Sequence, residues 1–150
     1  MMIAEFKGEH RWLSNFWPCT VKYKDVLFPS SEHAYVMAKV EPHLWPAVLD
    51  LVLEAKTAGQ VKRLGRKLPL RPDWDLVKVQ VMRDILESKF SNTGLAAMLL
   101  TTGDEELVEG NHWGDTFWGV CDGVGQNWLG RLLMGIRADL ASKRASPEAP

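Results

Sequence analysis

Apolar residues recur along this chain at two different periods, and each change of period marks a new element. Residues 2–6 and 20–23 read as strands, and 26–28 pairs back on the second through a turn at Lys24-Asp25. Pro29-Ser30-Ser31 then opens a helix to about residue 40, with serines able to cap it and Glu32 in its first turn. Pro42 and Pro46 bracket the start of a second helix over 47–55. Thr57-x-x-Gln60 has capping-box spacing, and behind it Val61, Leu64 and Leu68 keep one apolar face. Asp73 is expected to cap a long helix over 74–90, where Val77, Val81, Ile85 and Phe90 recur at helical spacing beside Met82 and Leu86. Residues 95–100 form a shorter helix, and 107–109 and 117–120 look extended. The last helix sets Leu129, Leu132, Leu133, Ile136 and Leu140 on one face. No repeat or linker divides the chain. The pattern predicts an α+β fold, predominantly helical: a single compact domain over residues 1–144 with a few short N-terminal and central strands, then a flexible polar tail at 145–150.

Composition narrows the class. A chain of 150 residues is one domain's worth and buries roughly 68–70% of the surface it exposes when unfolded, enough for a core without disulfides or metal. With 46% hydrophobic and 25% charged residues it is not a disordered chain. The longest apolar run, 95–100, is too short to span a bilayer, and no basic and apolar leader opens the sequence. Two cysteines, Cys19 and Cys121, make no disulfide framework, so a cytoplasmic location is expected. A net charge of −1 speaks against general affinity for nucleic-acid backbone. Seven tryptophans against two tyrosines suggest a ring-lined pocket or an aromatic core, and composition leaves both open.

Three stretches hold more polar and aromatic residues than local structure needs. The first, Arg11-Trp12-Leu13-Ser14-Asn15-Phe16-Trp17-Pro18-Cys19, sets three rings around the hydrogen-bonding side chains of Ser14 and Asn15. It is either the wall of a binding site or an aromatic minicluster closing the core, with Asn15 holding a turn. In the second, 29–39, helical spacing puts Glu32, Tyr35 and Lys39 along one face. A carboxylate, a phenol and an amine in line can act as acid, base and nucleophile; alternatively Glu32 answers the helix dipole and Lys39 is a surface lysine. The third, 107–120, crowds Glu109, Asn111, His112, Trp113, Asp115 and Trp118 between glycines that let the backbone approach closely. Directly after it, Asp122-Gly123-Val124-Gly125-Gln126-Asn127 enters the last helix. Such a turn, with Gly125 before a helix N-terminus, offers free N–H groups to a phosphate. It lacks the Gly-Lys-Ser/Thr ending of a nucleotide-motor loop and the setting of a dinucleotide fingerprint.

Other chemistries lack their residues. The four histidines have no zinc spacing, two lone cysteines supply no metal pair, and no Gly-x-Ser-x-Gly elbow is present. Neither metal nor cofactor is expected. From Lys56 to Arg71 there are six basic residues and no acid, with Lys62/Arg66 and Arg63/Lys67 at i, i+4; this is a solvated face or a means of steering an anionic substrate. Carboxylates, stacking rings, a lysine and a phosphate-suited turn fit cleavage of a base–ribose C–N bond. That bond breaks through a cation-like sugar, which a carboxylate stabilises while a donor neutralises the departing base. Aromatic faces hold the base, and a lysine can capture C1 of the opened sugar as a Schiff base.

The motifs together resemble a known family. Trp12-Leu13-Ser14-Asn15-Phe16-Trp17-Pro18-Cys19, then Pro29-Ser30-Ser31-Glu32-His33-Ala34-Tyr35 with Ala38-Lys39, then Leu64-Gly65-Arg66 with Arg71-Pro72-Asp73-Trp74-Asp75 stand in the order of the YbiA-like, or NADAR, family. So do the later signatures, from Leu107 through Val120 and from Gly125 through Met134. The resemblance runs from about Phe6 to Arg137 and implies N-glycosidase activity. One branch of the family hydrolyses early intermediates of riboflavin biosynthesis; another removes ADP-ribose from modified guanine in nucleic acid, often opposite an ADP-ribosylating toxin. Carried over by position, it implies Glu32 as the catalytic carboxylate, Lys39 as the lysine that engages the sugar, and Asp115 as a third catalytic group. Arg11, Asn15 and Asn127 become substrate contacts, with Trp113 and Trp118 framing the base. Ser14, Phe16, Tyr35, Glu109, Asn111 and Gly125 complete the expected substrate-binding set. Trp17 stands where the family commonly has tyrosine, which keeps a ring and removes a hydroxyl. A rival of another class is a non-catalytic module that binds ADP-ribose or a nucleotide in the same pocket.

Overall fold

Along the chain of the computed structural model run β1 (Met2–Ile3), β2 (Pro18–Tyr23), β3 (Val26–Ser30), α1 (Ser31–Ala38), α2 (Trp45–Glu54), α3 (Ala58–Gly65), α4 (Trp74–Lys89), α5 (Thr93–Thr101), β4 (Glu106–Leu107), β5 (Gly110–Asn111), β6 (Val120–Cys121) and α6 (Trp128–Ala145). Short 3-10 turns occupy Gly8–Leu13 and Pro42–Leu44. The structure describes residues 1–145. The expected α+β class, mostly helical, is what these elements make. They fall into two units: Asn15–Lys89, and Met1–Ser14 together with the chain from Phe90 onward.

In the Asn15–Lys89 unit, β2 and β3 form the expected antiparallel hairpin, with Tyr23 opposite Val26. Lys24 and Asp25 both take positive φ, 50° and 63°, the two-residue turn whose twist suits a hairpin. Val21, Tyr23 and Phe28 point inward and are buried, and α4 packs across β2. At the hairpin's exit the Ser30 hydroxyl accepts from the His33 N–H at 3.1 Å and so caps α1. Every residue of α1 is buried, because α2, α3, α4 and the hairpin all pack on it. Thr57 caps α3 as its spacing predicted, accepting from the Gln60 N–H. The return bond differs: Gln60 Oε1 accepts from the Lys56 N–H, one residue before the cap. The Asp73 carboxylate, expected to cap α4, instead takes two hydrogen bonds from the Arg71 guanidinium, at 2.6 and 2.9 Å. A bidentate pair is stronger than one amide bond to a carboxylate, and Arg71 lies two residues away.

In the other unit, β1 runs parallel to β4 and β5 parallel to β6. The strands expected at 2–6 and 117–120 each shrink to two residues; the path from Phe117 to Gly119 is loop. Asn92 caps α5 through its carbonyl oxygen. Helix α6 buries Leu129, Leu132, Leu133 and Ile136 as the periodicity required, and Arg137 below them donates to Thr102 Oγ1 at 2.8 Å. Trp12 meets the edge of Phe90, centroids 6.4 Å apart, so one ring of the first aromatic stretch belongs to the core. Helix α6 continues through Ala145, the first residue of the expected tail; residues 146–150 lie outside the described residues. No helix among the described residues is long and apolar enough to cross a membrane.

Candidate active site

Helix α1 is short, and both of its chemically active side chains follow from how its ends are made. Ser30 Oγ lies 2.6 Å from His33 Nδ1, and His33 Nε2 lies 2.8 Å from the carbonyl of Ala55. A carbonyl only accepts, so Nε2 carries the proton and Nδ1 accepts from the serine. Burial lowers the histidine's pKa, which favours this neutral form. The clamp fixes the first turn of α1, and the Glu32 N–H is held besides by the carbonyl of Asn15 at 3.1 Å. Seven residues on, Lys39 closes the helix as its C-cap, its own N–H bonding back into the last turn.

The two side chains perturb each other. Glu32 is 8% exposed, and burial pushes its carboxyl above the ordinary carboxylate range, while Lys39 and then Lys62 pull it back down. Burial draws the Lys39 amine below its ordinary value; Glu32 opposes this, and Lys62 and Arg66 reinforce it. The Lys39 ammonium nitrogen sits 4.7 Å from the centroid of Tyr35, whose ring meets buried Trp74 edge-on at 5.3 Å. An acid held towards its neutral form beside an amine held towards its own is the arrangement proton-transfer and nucleophilic chemistry need. Two buried oxygens, Ser31 Oγ next to Glu32 in the chain and Oδ1 of Asn15, whose carbonyl holds the Glu32 N–H, have no hydrogen-bond partner. Such orphaned acceptors are rare in native interiors and common where a ligand completes the set. Phe16, 43% exposed, carries the Lys62 ammonium 5.6 Å from its ring. Five expected residues, Asn15, Phe16, Glu32, Tyr35 and Lys39, thus belong to one unit and cluster around α1.

The 107–127 stretch sits in the other unit and is built differently from its sequence reading. Asn111 is buried and acts as a hub: its Nδ2 donates to the carbonyl of Asp115 at 2.8 Å, and its Oδ1 accepts the Asp115 N–H at 3.0 Å. Asp115 Oδ1 then accepts the N–H groups of Phe117 and Trp118, at 3.1 and 2.8 Å. Asn127 spans Leu107 and Glu109, donating to the carbonyl of one and accepting the N–H of the other. Both asparagines, expected to touch substrate, therefore hold backbone with each end of the amide. The helix end of the glycine turn is occupied by its own backbone. The N–H groups from Gln126 to Leu129 donate to carbonyls of Thr116, Gly119, Phe117 and Trp118, so none of these is free for a phosphate. Gly125 has φ +154°, and a Cβ there would strike the Gly119 carbonyl; it is needed for close packing of two loop strands. Trp118 meets Phe117 edge-on at 4.8 Å, and Phe117 stacks on Trp128, so Trp118 is half-buried in a ring cluster. Trp113, by contrast, is 57% exposed. Arg11 is exposed and Ser14 half-buried at the end of the first 3-10 turn. Glu109 is half-buried, and His112 lies 3.7 Å from Glu5.

Lys62, Arg66 and Trp74 were not among the expected site residues. The first two were visible as an i, i+4 basic pair, but nothing in the sequence said that their field reaches Glu32 or Lys39.

Comparison with known proteins identifies the family. Residues 4–141 match the NADAR domain family. The chain is 44% identical over 135 residues to a riboflavin biosynthesis protein of Vibrio vulnificus, covering 87% of this chain and 36% of that one. The chain therefore spans about a third of the Vibrio protein. It is 38% identical to an N-glycosidase of Nostoc punctiforme over 85% of this chain and 83% of that one. The solved structure of Escherichia coli YbiA superposes with a TM-score of 0.82 at 31% identity, covering 99% of this chain and 89% of that one.

Proposed function

The chain belongs to the NADAR domain family, and from that premise we infer that it is an N-glycosidase, hydrolysing the C–N bond between a base and a ribose. The observation that carries the mechanism is the pairing of a buried acid and a partly buried amine, Glu32 and Lys39, at the two ends of α1. The raised carboxyl holds a proton that it can give to the departing base nitrogen as the C1–N bond breaks. Once ionised, the same carboxylate faces the cation-like C1 and lowers its energy. The lowered amine has a larger neutral fraction than a solvated lysine. In that form its nitrogen can bond to C1 as the base leaves; the sugar ring opens to an imine, and water releases the free sugar and restores the amine. In its charged form Lys39 instead anchors the sugar oxygens. Relatives named N-glycosidase favour turnover over the rival reading of a non-catalytic nucleotide-binding module.

For substrate we propose the ribosylaminopyrimidine intermediates of riboflavin biosynthesis, a choice supported by the names of the Vibrio protein and of a chloroplastic maize relative. Arg11, Ser14, Glu109 and Trp113 belong to the other unit and stay proposed substrate contacts on the family resemblance alone. Cys19 and Cys121 are both free thiols, which suits the cytoplasm as the proposed location. The test incubates the chain with a ribosylaminopyrimidine phosphate and, separately, with ADP-ribosyl-guanine oligonucleotide, in the presence of borohydride. Base released from the first, with substrate mass added at Lys39, is the expected result. Release from the guanine substrate alone would reassign the substrate and point to a partner toxin. Turnover that leaves Lys39 unmodified removes the covalent step and keeps the anchoring role.

A further inference from the structure

Helix α3 and the chain on either side of it carry a concentration of positive charge that the reaction described above does not use. Between Glu54 and Asp73 the sequence holds six basic residues and no acid. One of them, Arg71, is neutralised by Asp73. The inner side of α3 is fixed by Val61, which is fully buried, and by Gly65. A Cβ at Gly65 would stand 3.0 Å from both methyls of Val36 on α1, so the two helices approach about as closely as backbone allows. That approach sets the orientation of the remaining turns. Lys62 and Arg66 lie on the edge whose field reaches Lys39, and Lys62 also acts on Glu32 and covers the Phe16 ring. Arg63, Arg66 and Lys67, with Gln60 and Leu64, line a cavity of about 500 Å³. Like charges at i, i+4 repel each other, and here they also oppose protonation of the neighbouring amine. An anion seated among them relieves both effects.

We propose that this edge of α3, from Lys62 through Arg66 to the cavity holding Arg63 and Lys67, binds the phosphate of the substrate on which Glu32 and Lys39 act. The assignment rests on the N-glycosidase reading and gives it a specificity element: phosphorylated glycosides are preferred over their dephosphorylated forms. Guanidinium groups suit the task, since each offers a planar fork to phosphate oxygens.

The experiment compares the native chain with Arg66→Gln and with the double variant Arg63→Gln/Lys67→Gln. Kinetics are read on a ribosylaminopyrimidine phosphate and on the same compound after phosphatase treatment. Arg66→Gln is expected to raise KM about tenfold on the phosphorylated substrate, the loss of one charged hydrogen bond, and the double variant by at least as much. On the dephosphorylated substrate KM should stay within twofold, and Arg66→Lys should recover part of the loss. KM changes equal on both substrates, or absent on both, overturn the proposal. Calorimetric titration with ribose 5-phosphate, inorganic phosphate and a short oligonucleotide reads the same surface without turnover. If the native chain releases no base yet binds ribose 5-phosphate, and the double variant does not, the enzyme reading fails and the phosphate site stands. Binding to the oligonucleotide alone would reassign the surface to a nucleic-acid backbone. Equal binding by native and variant chains removes the site.

Discussion

Glu32 and Lys39 are both shifted towards their uncharged forms by burial, and Lys62 acts on both in one direction. Its cation lowers the pKa of the carboxyl and lowers that of the amine. Lys62→Gln therefore raises both, and because the two groups titrate as a pair, both limbs of the kcat–pH profile should move to higher pH. Limbs that stay fixed, or that move apart, would contradict this coupling. The stability of the same site has its own sign. The folded value of Glu32 lies above its unfolded value, so between the two the folded chain holds more protons, and stability falls as pH rises through that window. Glu32→Gln escapes that loss. Its melting temperature should match the native chain's near pH 4, the ordinary carboxylate range, and exceed it by a few degrees above the folded value. A variant that melts lower at every pH would show that the carboxylate is there for structure.

At the scale of elements, legibility followed the amount of local chemistry. The β2–β3 hairpin was readable because a turn and two runs lie next to each other, and α1 because Ser30 precedes it at capping distance. Both parallel pairs escaped, since β1 and β4 contribute two residues each and meet across most of the chain; two residues carry no period. In the 107–127 stretch the asparagines were legible as important but not as ties between backbone segments. Asn111 and Asn127 have the same side chain whether it binds a ligand or closes a loop, and only coordinates show both amide ends on backbone. Gly125 makes the point testable. Gly125→Ala must adopt φ +154° and push a methyl into the Gly119 carbonyl. The expected cost is about 2 kcal/mol or more in urea unfolding. An unchanged midpoint would show that the packing against Gly119 does not require glycine.

For the whole molecule, fold class and family were legible because ordered motifs run through nearly all of it, and the match over residues 4–141 bears this out. What the sequence could not supply was electrostatic context. Lys39 reads as a surface lysine until a buried acid, a tyrosine ring and two further cations are found around it. The acid-free basic run from Lys56 to Arg71 was legible, but not that Lys62 and Arg66 act on Lys39. The account as a whole depends on Glu32 acting in the cleavage itself. The most direct measurement is the rate at which the native chain and Glu32→Gln release free base from a ribosylaminopyrimidine phosphate, at matched concentrations of folded protein. The account predicts a fall in kcat of about a hundredfold or more, with KM little changed; equal rates from the two proteins would contradict it.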